Sequence, residues 1–329
     1  MKKYFLAVSV ALLVLSLALI SCSGGGSDNN GGNNSGGNQP GTGGNVYVAG
    51  VTRDAAGGFA TLWKDAHPQR LGSYGSKANS VFVSGNNVYV AGVENNCAIL
   101  WKNGFPTILG GDSSSADSVF VSGNDVYVTG MITNYDYTQT LMLWKNGVAT
   151  NLGQIVWSAY YETGVYVLGN DVYVAATERN QGGTIWKNGI QVANFGNSTG
   201  AKSIFVLGND VYAVGNESYI GLSGLPSNHA TFWKNGNSTH IGDDNSWGFS
   251  IFVSGSDVYV AGRNQDYGTI WKNGTPTRIS NDMGSEALSV CVSRGDVYVA
   301  GFDNSGAKLW KNTTPTSLGN GYANSVFVK

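Results

Sequence analysis

Histidine, cysteine, proline and charge are all scarce in this chain, and each shortage excludes something. Its 329 residues include three His, three Cys, six Pro and only 12% charged side chains. His67, His229 and His240 show no metal-ligand spacing, so no metal is expected. No Ser/His/Asp or Cys/His set can be assembled. No cofactor is expected either, because the Gly-rich turns lack the strand-to-helix setting of a phosphate loop. Cys97 and Cys291 fall in separate, non-neighbouring stretches, which speaks against a disulfide between them; both read as small buried apolar residues. Lys and Arg total 19 against 21 Asp and Glu. That balance offers no basic face to a nucleic acid, which binds through counterion release. Long apolar runs are missing too, except for one at the start of the chain.

That run spans Phe5 to Ile20, behind Lys2 and Lys3, and ends in Leu19-Ile20-Ser21-Cys22. It is short for a membrane span and Gly and Ser follow at once, which is the layout of an export signal. The four-residue ending resembles the lipobox of bacterial lipoproteins. The resemblance implies that residues 1–21 are a signal peptide and that Cys22 carries acyl chains after cleavage. The membrane partner is then a lipid anchor on Cys22, and two or more chains hold far better than one. In the familiar sorting pattern an Asp after the Cys retains a lipoprotein at the inner membrane. Ser23 therefore implies the outer membrane or cell surface. Residues 22–44 form a Gly/Asn/Ser tether that cannot bury enough apolar surface to order itself, with a mean reach of roughly 25 Å.

What is abundant is glycine, 48 residues of it, set between runs of Val, Tyr and Phe. From Asn45 onward two phrases alternate. Val-Tyr begins at Val46, Val88, Val126, Val172, Val211, Val258 and Val297, and Trp-Lys follows each, at Trp63, Trp101, Trp144, Trp186, Trp233, Trp271 and Trp310. A period near 40 with several strands per unit predicts an all-β fold, a seven-bladed β-propeller of four-stranded blades over residues 45–329. The inner strands read Ser-Val-Phe-Val, as in Ser80–Val83; the second read Val-Tyr-Val-Ala-Gly; the third end in Trp-Lys; the fourth look short and weak. The inner two are apolar at nearly every position, as strands covered on both faces are. The ordered part opens on a second strand and ends on an inner one. Ser325–Val328 is therefore expected to pair with Val46–Gly50 and close the ring, removing the exposed edges. The seven Trp are expected to fill gaps between blades. The Lys after them are expected to keep strand ends soluble.

The repeat resembles Trp-Asp propellers in size and the Ile-Tyr-Val-x-Gly-Gly strand of kelch repeats, but Lys replaces Asp and the double Gly is absent. It is most similar to a group of bacterial secreted lipoproteins with VYVAG…LWKNG repeats, over Asn45 to Lys329. That resemblance implies the architecture and no defined activity.

The two ends of such blades obey different rules here. First-to-second and third-to-fourth turns are short and monotonous, and Asn-Gly suits a two-residue hairpin in which both positions take positive φ. Asp65-Ala66 and Asn312-Thr313 depart from it and suggest different turns. The opposite connections vary, and binding residues tend to sit on loops held by a rigid scaffold. Candidate ligand-binding residues there are Tyr135, Tyr137, Trp157, Tyr160, Tyr161, Asp243, Asp244, Trp247 and Tyr267, since aromatic rings beside carboxylates stack on sugars or bury peptide side chains. The same rings would equally serve to pack long loops onto the blade ends. The expectation is a monomeric, non-catalytic envelope protein that binds a glycan or a protein. Two alternatives stand beside it: a glycoside hydrolase drawing on Asp243, Asp244, Asp266, Glu162 or Glu178, and a scaffold for envelope protein assembly.

Overall fold

The computed structural model describes residues 44–155, 163–178, 181–220 and 226–329. The segment with Cys22 lies outside the described residues, as do Trp157, Tyr160, Tyr161, Glu162 and Arg179. Among the described residues, twenty-eight strands form seven four-stranded antiparallel blades in a ring. Blade 2 shows the plan: inner strand Lys77–Ser84, second Asn87–Glu94, third Cys97–Lys102 and outer Phe105–Asp112. Blade 1 takes its inner strand, Gly321–Val328, from the far end of the chain, and this strand pairs with Val46–Asp54 from Val46↔Val328 to Thr52↔Gly321. The expected closure is therefore formed. Blades 3 and 4 also touch through one backbone pair, Ile155↔Glu178.

Tryptophan joins each blade to the one before it. Trp101 of blade 2 packs with Tyr47, Ala49 and Leu62 of blade 1, Trp144 with Tyr89 and Ala91 of blade 2, Trp310 with Tyr259 and Ile270 of blade 6, and Trp63 with Tyr298 and Leu318 of blade 7. These rings are fully buried. Trp186 is the exception: it is half-buried, and its Nε1 donates to Glu178 Oε1 at 2.9 Å.

Serine seals the same joints near the axis. The hydroxyls of Ser325, Ser80, Ser118, Ser203, Ser250 and Ser289 each accept from a backbone N–H on the next inner strand, at 3.1 to 3.4 Å. The belt lapses only where Gly164 replaces Ser in blade 4. A Cβ there would stand 2.9 Å from the Lys202 carbonyl oxygen.

The repeated Gly of Val-Tyr-Val-Ala-Gly has a steric cause. In six blades the inner strand bulges, with Asn79, Asp117, Lys202, Phe249, Leu288 and Asn324 as the extra residues. The bulge pushes an inner-strand carbonyl towards the second strand. A Cβ on Gly92 would lie 2.0 Å from the Lys77 oxygen, and Gly50, Gly130, Gly215, Gly262 and Gly301 face the same conflict. In blade 4 Ala176 occupies this position, and there the described pairing of the inner strand begins at Gly164, opposite Ala175.

Two expectations need correction. Asp65-Ala66 and Asn312-Thr313 form the same turn as the Asn-Gly pairs, with φ of 49° and 66° and of 48° and 72°. What the turn requires is the first side chain. The oxygen of Asn103 accepts from Val88 N at 2.9 Å, and Asp65 accepts from Val46 N at 2.8 Å in the same way. The outer strands are also not uniformly short. Those of blades 1 to 3 run eight residues each, because a bulge in the third or outer strand lets pairing resume beyond the irregularity.

Candidate functional site

The two ends of the ring differ in chemistry. At the tight-turn end five blades repeat one polar unit. In blade 3, Lys145 Nζ lies 2.8 Å from Asp125, Asn146 Nδ2 donates to the same carboxylate at 2.8 Å, and the Lys sits over the Tyr127 ring. Lys187–Asp171, Lys234–Asp210, Lys272–Asp257 and Lys311–Asp296 repeat the ion pair at 2.7 to 2.8 Å. The Lys hydrogen bond holds each of these carboxyls below its ordinary pKa. The lysines are thus tied within their own blades. In blades 1 and 2 Asn45 and Asn87 stand where the Asp would be.

Within this end opens the central channel, a cavity of about 430 Å³. Phe82, Phe120, Tyr166, Phe205, Phe252 and Phe327 form an aromatic collar, most neighbours having centroids 4.7 to 5.0 Å apart. Cys291, buried, holds the seventh position.

The hairpin end carries the variation. Tyr135 and Tyr137 stand fully exposed on the second-to-third connection of blade 3, where Asp136 accepts from Thr138 N at 3.1 Å. Residues 156–162, with Trp157, Tyr160 and Tyr161, join blade 3 to blade 4 and lie outside the described residues. Asp243 and Asp244 sit between blades 5 and 6, Trp247 is on the inner strand of blade 6, and Tyr267 is on its third strand. The described candidates therefore fall in two sectors of one face.

Their contacts divide them further. Arg263 lies 4.2 Å over the Trp247 ring and pairs with Glu286 at 3.2 Å; Arg278 lies 3.5 Å over Tyr267. Both rings are thus already covered by guanidinium groups. Asp243 Oδ2 accepts from Asn264 Nδ2 at 2.9 Å, and Asp244 accepts from the Tyr219 hydroxyl, whose pKa it raises. Glu178 is buried and accepts from Trp186 and Gln181. Tyr219, His229 and His240 form a stack, with centroids 4.4 and 5.2 Å apart, and His240 meets Glu217 at 2.9 Å. Among the described residues no group of three His, Cys, Asp or Glu is placed to hold a metal.

The residues that sequence reading passed over are the bulge residues. Asn324 Nδ2 donates to Ala78 O at 3.0 Å and Asn79 Nδ2 to Ala116 O at 2.9 Å. Asp117 accepts from Thr163 at 3.1 Å, and Lys202 lies 4.3 Å over the Phe249 ring. Each side chain reaches the inner strand of the next blade, as a bulge that re-aims a side chain allows. One signal for them stood in the sequence. Asn, Asp, Lys, Phe, Leu and Asn precede a nearly constant Ser-Val-Phe-Val, a variable position inside a repeated strand. Asn79 and Asn324, with Arg53, Ser76, Lys77 and Tyr322, also line a cleft of about 580 Å³ at the seam of blades 1 and 2.

No protein-family model and no curated protein matches the chain in sequence. Among solved structures, a puromycin-hydrolyzing peptidase of Mycobacterium tuberculosis superposes with a TM-score of 0.53 at 10% identity, over 84% of this chain and 52% of that one. The chain thus spans about half the length of that peptidase. The likeness is one of fold. The β-propeller domain of the trilobed protease from Pyrococcus furiosus is also similar, with a TM-score of 0.45 and 10% identity over 72% of this chain and 81% of that domain.

Proposed function

We propose that the chain is a lipid-anchored envelope propeller that binds a glycan through its hairpin face without turning it over. One observation carries this reading: the tight-turn end repeats a single self-satisfied polar unit, whereas nearly all side-chain variation gathers at the other end. A rigid scaffold that displays variable residues on one face is the usual basis of a recognition surface. Tyr135 and Tyr137 supply uncovered rings there, to which Trp157, Tyr160 and Tyr161 belong by chain position.

The anchor reading rests on the export signal and Cys22, and the path of the chain is consistent with it. Lys329 N donates to Asn45 O at 3.0 Å, so the tether joins the ring at the tight-turn end. Against the hydrolase alternative, Asp243, Asp244 and Glu178 each serve a hydrogen bond that holds the fold.

The test of recognition is a glycan and protein array probed with the chain from residue 23 onward. Tyr135→Ala with Tyr137→Ala is expected to weaken the bound glycan at least tenfold. Binding that survives both changes would reject the Tyr135 and Tyr137 patch, and an array on which only proteins are captured would reject the glycan reading. For the anchor, Cys22→Ser is expected to move the protein from the detergent phase to the aqueous phase in a phase-separation assay.

A further inference from the structure

Eight cations among the described residues meet a carboxylate in place. Beyond the five Lys–Asp pairs, Arg70 meets Asp54 at 3.1 Å, Arg263 meets Glu286, and Lys308 meets Asp303 at 3.1 Å. The cleft at the seam of blades 1 and 2 is lined differently. Two of its lining residues, Arg53 and Lys77, are cations, and none is a carboxylate. Both are exposed. In a chain with more acidic than basic residues, an acid-free cleft holding two cations favours an anion.

The rest of the lining narrows the class. Arg53 is positioned by stacking 4.6 Å over Tyr322, which itself meets Phe302 edge-on at 4.9 Å. A guanidinium fixed in this way offers its fork to a carboxylate in two parallel hydrogen bonds. Asn79 and Asn324 use their amide N–H groups on backbone carbonyls of the next blade, which leaves their oxygens as acceptors. Cations beside fixed acceptors suit a ligand that joins a carboxylate to hydroxyl groups. The volume, about 580 Å³, falls within the range of small-molecule sites.

We infer that this cleft binds an acidic sugar residue, its carboxylate on Arg53 and Lys77 and its hydroxyls on Asn79 and Asn324. The inference rests on the glycan-binding reading above and names its substrate class. The site combines residues from both ends of the ordered chain, so it exists only in the closed ring.

The test is calorimetry on the chain from residue 23 onward with trigalacturonate, sialyllactose and trimannuronate. The methyl ester of trigalacturonate serves as a control that keeps the hydroxyls and removes the charge. At least one acid is expected to bind, and its ester at least tenfold more weakly. Arg53→Gln and Lys77→Gln, both at exposed positions, are each expected to weaken the acid at least tenfold with an unchanged near-ultraviolet spectrum. Equal binding of acid and ester, indifference to both variants, or no binding of any acid overturns the inference. A neutral glycan held through Tyr135 and Tyr137 would sink the acidic cleft and leave the glycan reading standing; no glycan bound at all would sink both.

Discussion

A single missing methyl group makes room for the bulge of six inner strands. Where the second strand carries Gly, the inner strand bulges into the vacant space. Gly92→Ala would place a Cβ 2.0 Å from a carbonyl oxygen and 2.8 Å from the Trp101 ring. Overpacking of this kind costs about 1–3 kcal/mol, and urea unfolding of the variant checks it. Ala176→Gly, which adds no atoms, is expected to cost under about 1 kcal/mol, mostly through chain entropy. Thr313 gives the opposite case. It holds a φ of 72° in a turn that uses Gly in five other blades. Thr313→Gly is expected to stabilise the fold by about 1 kcal/mol, since a left-handed conformation costs a side-chain-bearing residue roughly 1–2 kcal/mol. The Gly and the Trp were visible in the sequence, and the buried role of Trp was correctly expected. The steric reason for the Gly was not visible, because it depends on a carbonyl from the neighbouring strand.

The hairpin between third and outer strands is the element with the clearest pH signature. Its Asp partners, from Asp125 to Asp296, have folded pKa values depressed below those of the unfolded chain by hydrogen bonds from Lys and Asn. Their stabilisation is therefore present above the unfolded value, about 4, and is lost as pH falls through the folded values. The Lys partners are raised, so their share is present below about pH 10 and is lost as pH rises through the folded values. A flat stability plateau between those limits is expected in thermal melts. Changing all five Asp to Asn is expected to lower the plateau and flatten its acid edge, with a smaller effect in high salt because the pairs are exposed. Asn-Gly made these turns legible in advance. The outer strand lengths were not, since pairing resumes after a bulge that no residue type announces, and Asp65-Ala66 misled because its first side chain, not its second, carries the hydrogen bond.

At the scale of the molecule, everything depends on residues 321–328 completing blade 1. Removing residues 321–329 strips the inner strand from Val46–Asp54, deletes the Ser325 link to Val81 and opens the cleft that Tyr322 and Asn324 line. The truncated chain is expected to aggregate through the exposed strand edge, as size-exclusion chromatography would reveal. Ring closure could be read from the sequence, because the phase of the repeat differs at its two ends. The candidate site was only partly legible. Tyr135 and Tyr137 stand uncovered, but Trp247 and Tyr267 lie beneath arginines, and the cleft residues are separated in sequence by up to 271 positions, from Arg53 to Asn324. Proximity of that kind arises only when the ring shuts. The central claim is that one face of this ring recognises and the other does not. Hydrogen exchange of the chain from residue 23, with and without a bound glycan, tests it most directly. The account predicts slowed exchange at Val51–Gly58 and Gly75–Asn79 or around Tyr135, with the Asn-Gly turns unchanged. Protection confined to those turns and to the Phe collar would contradict it.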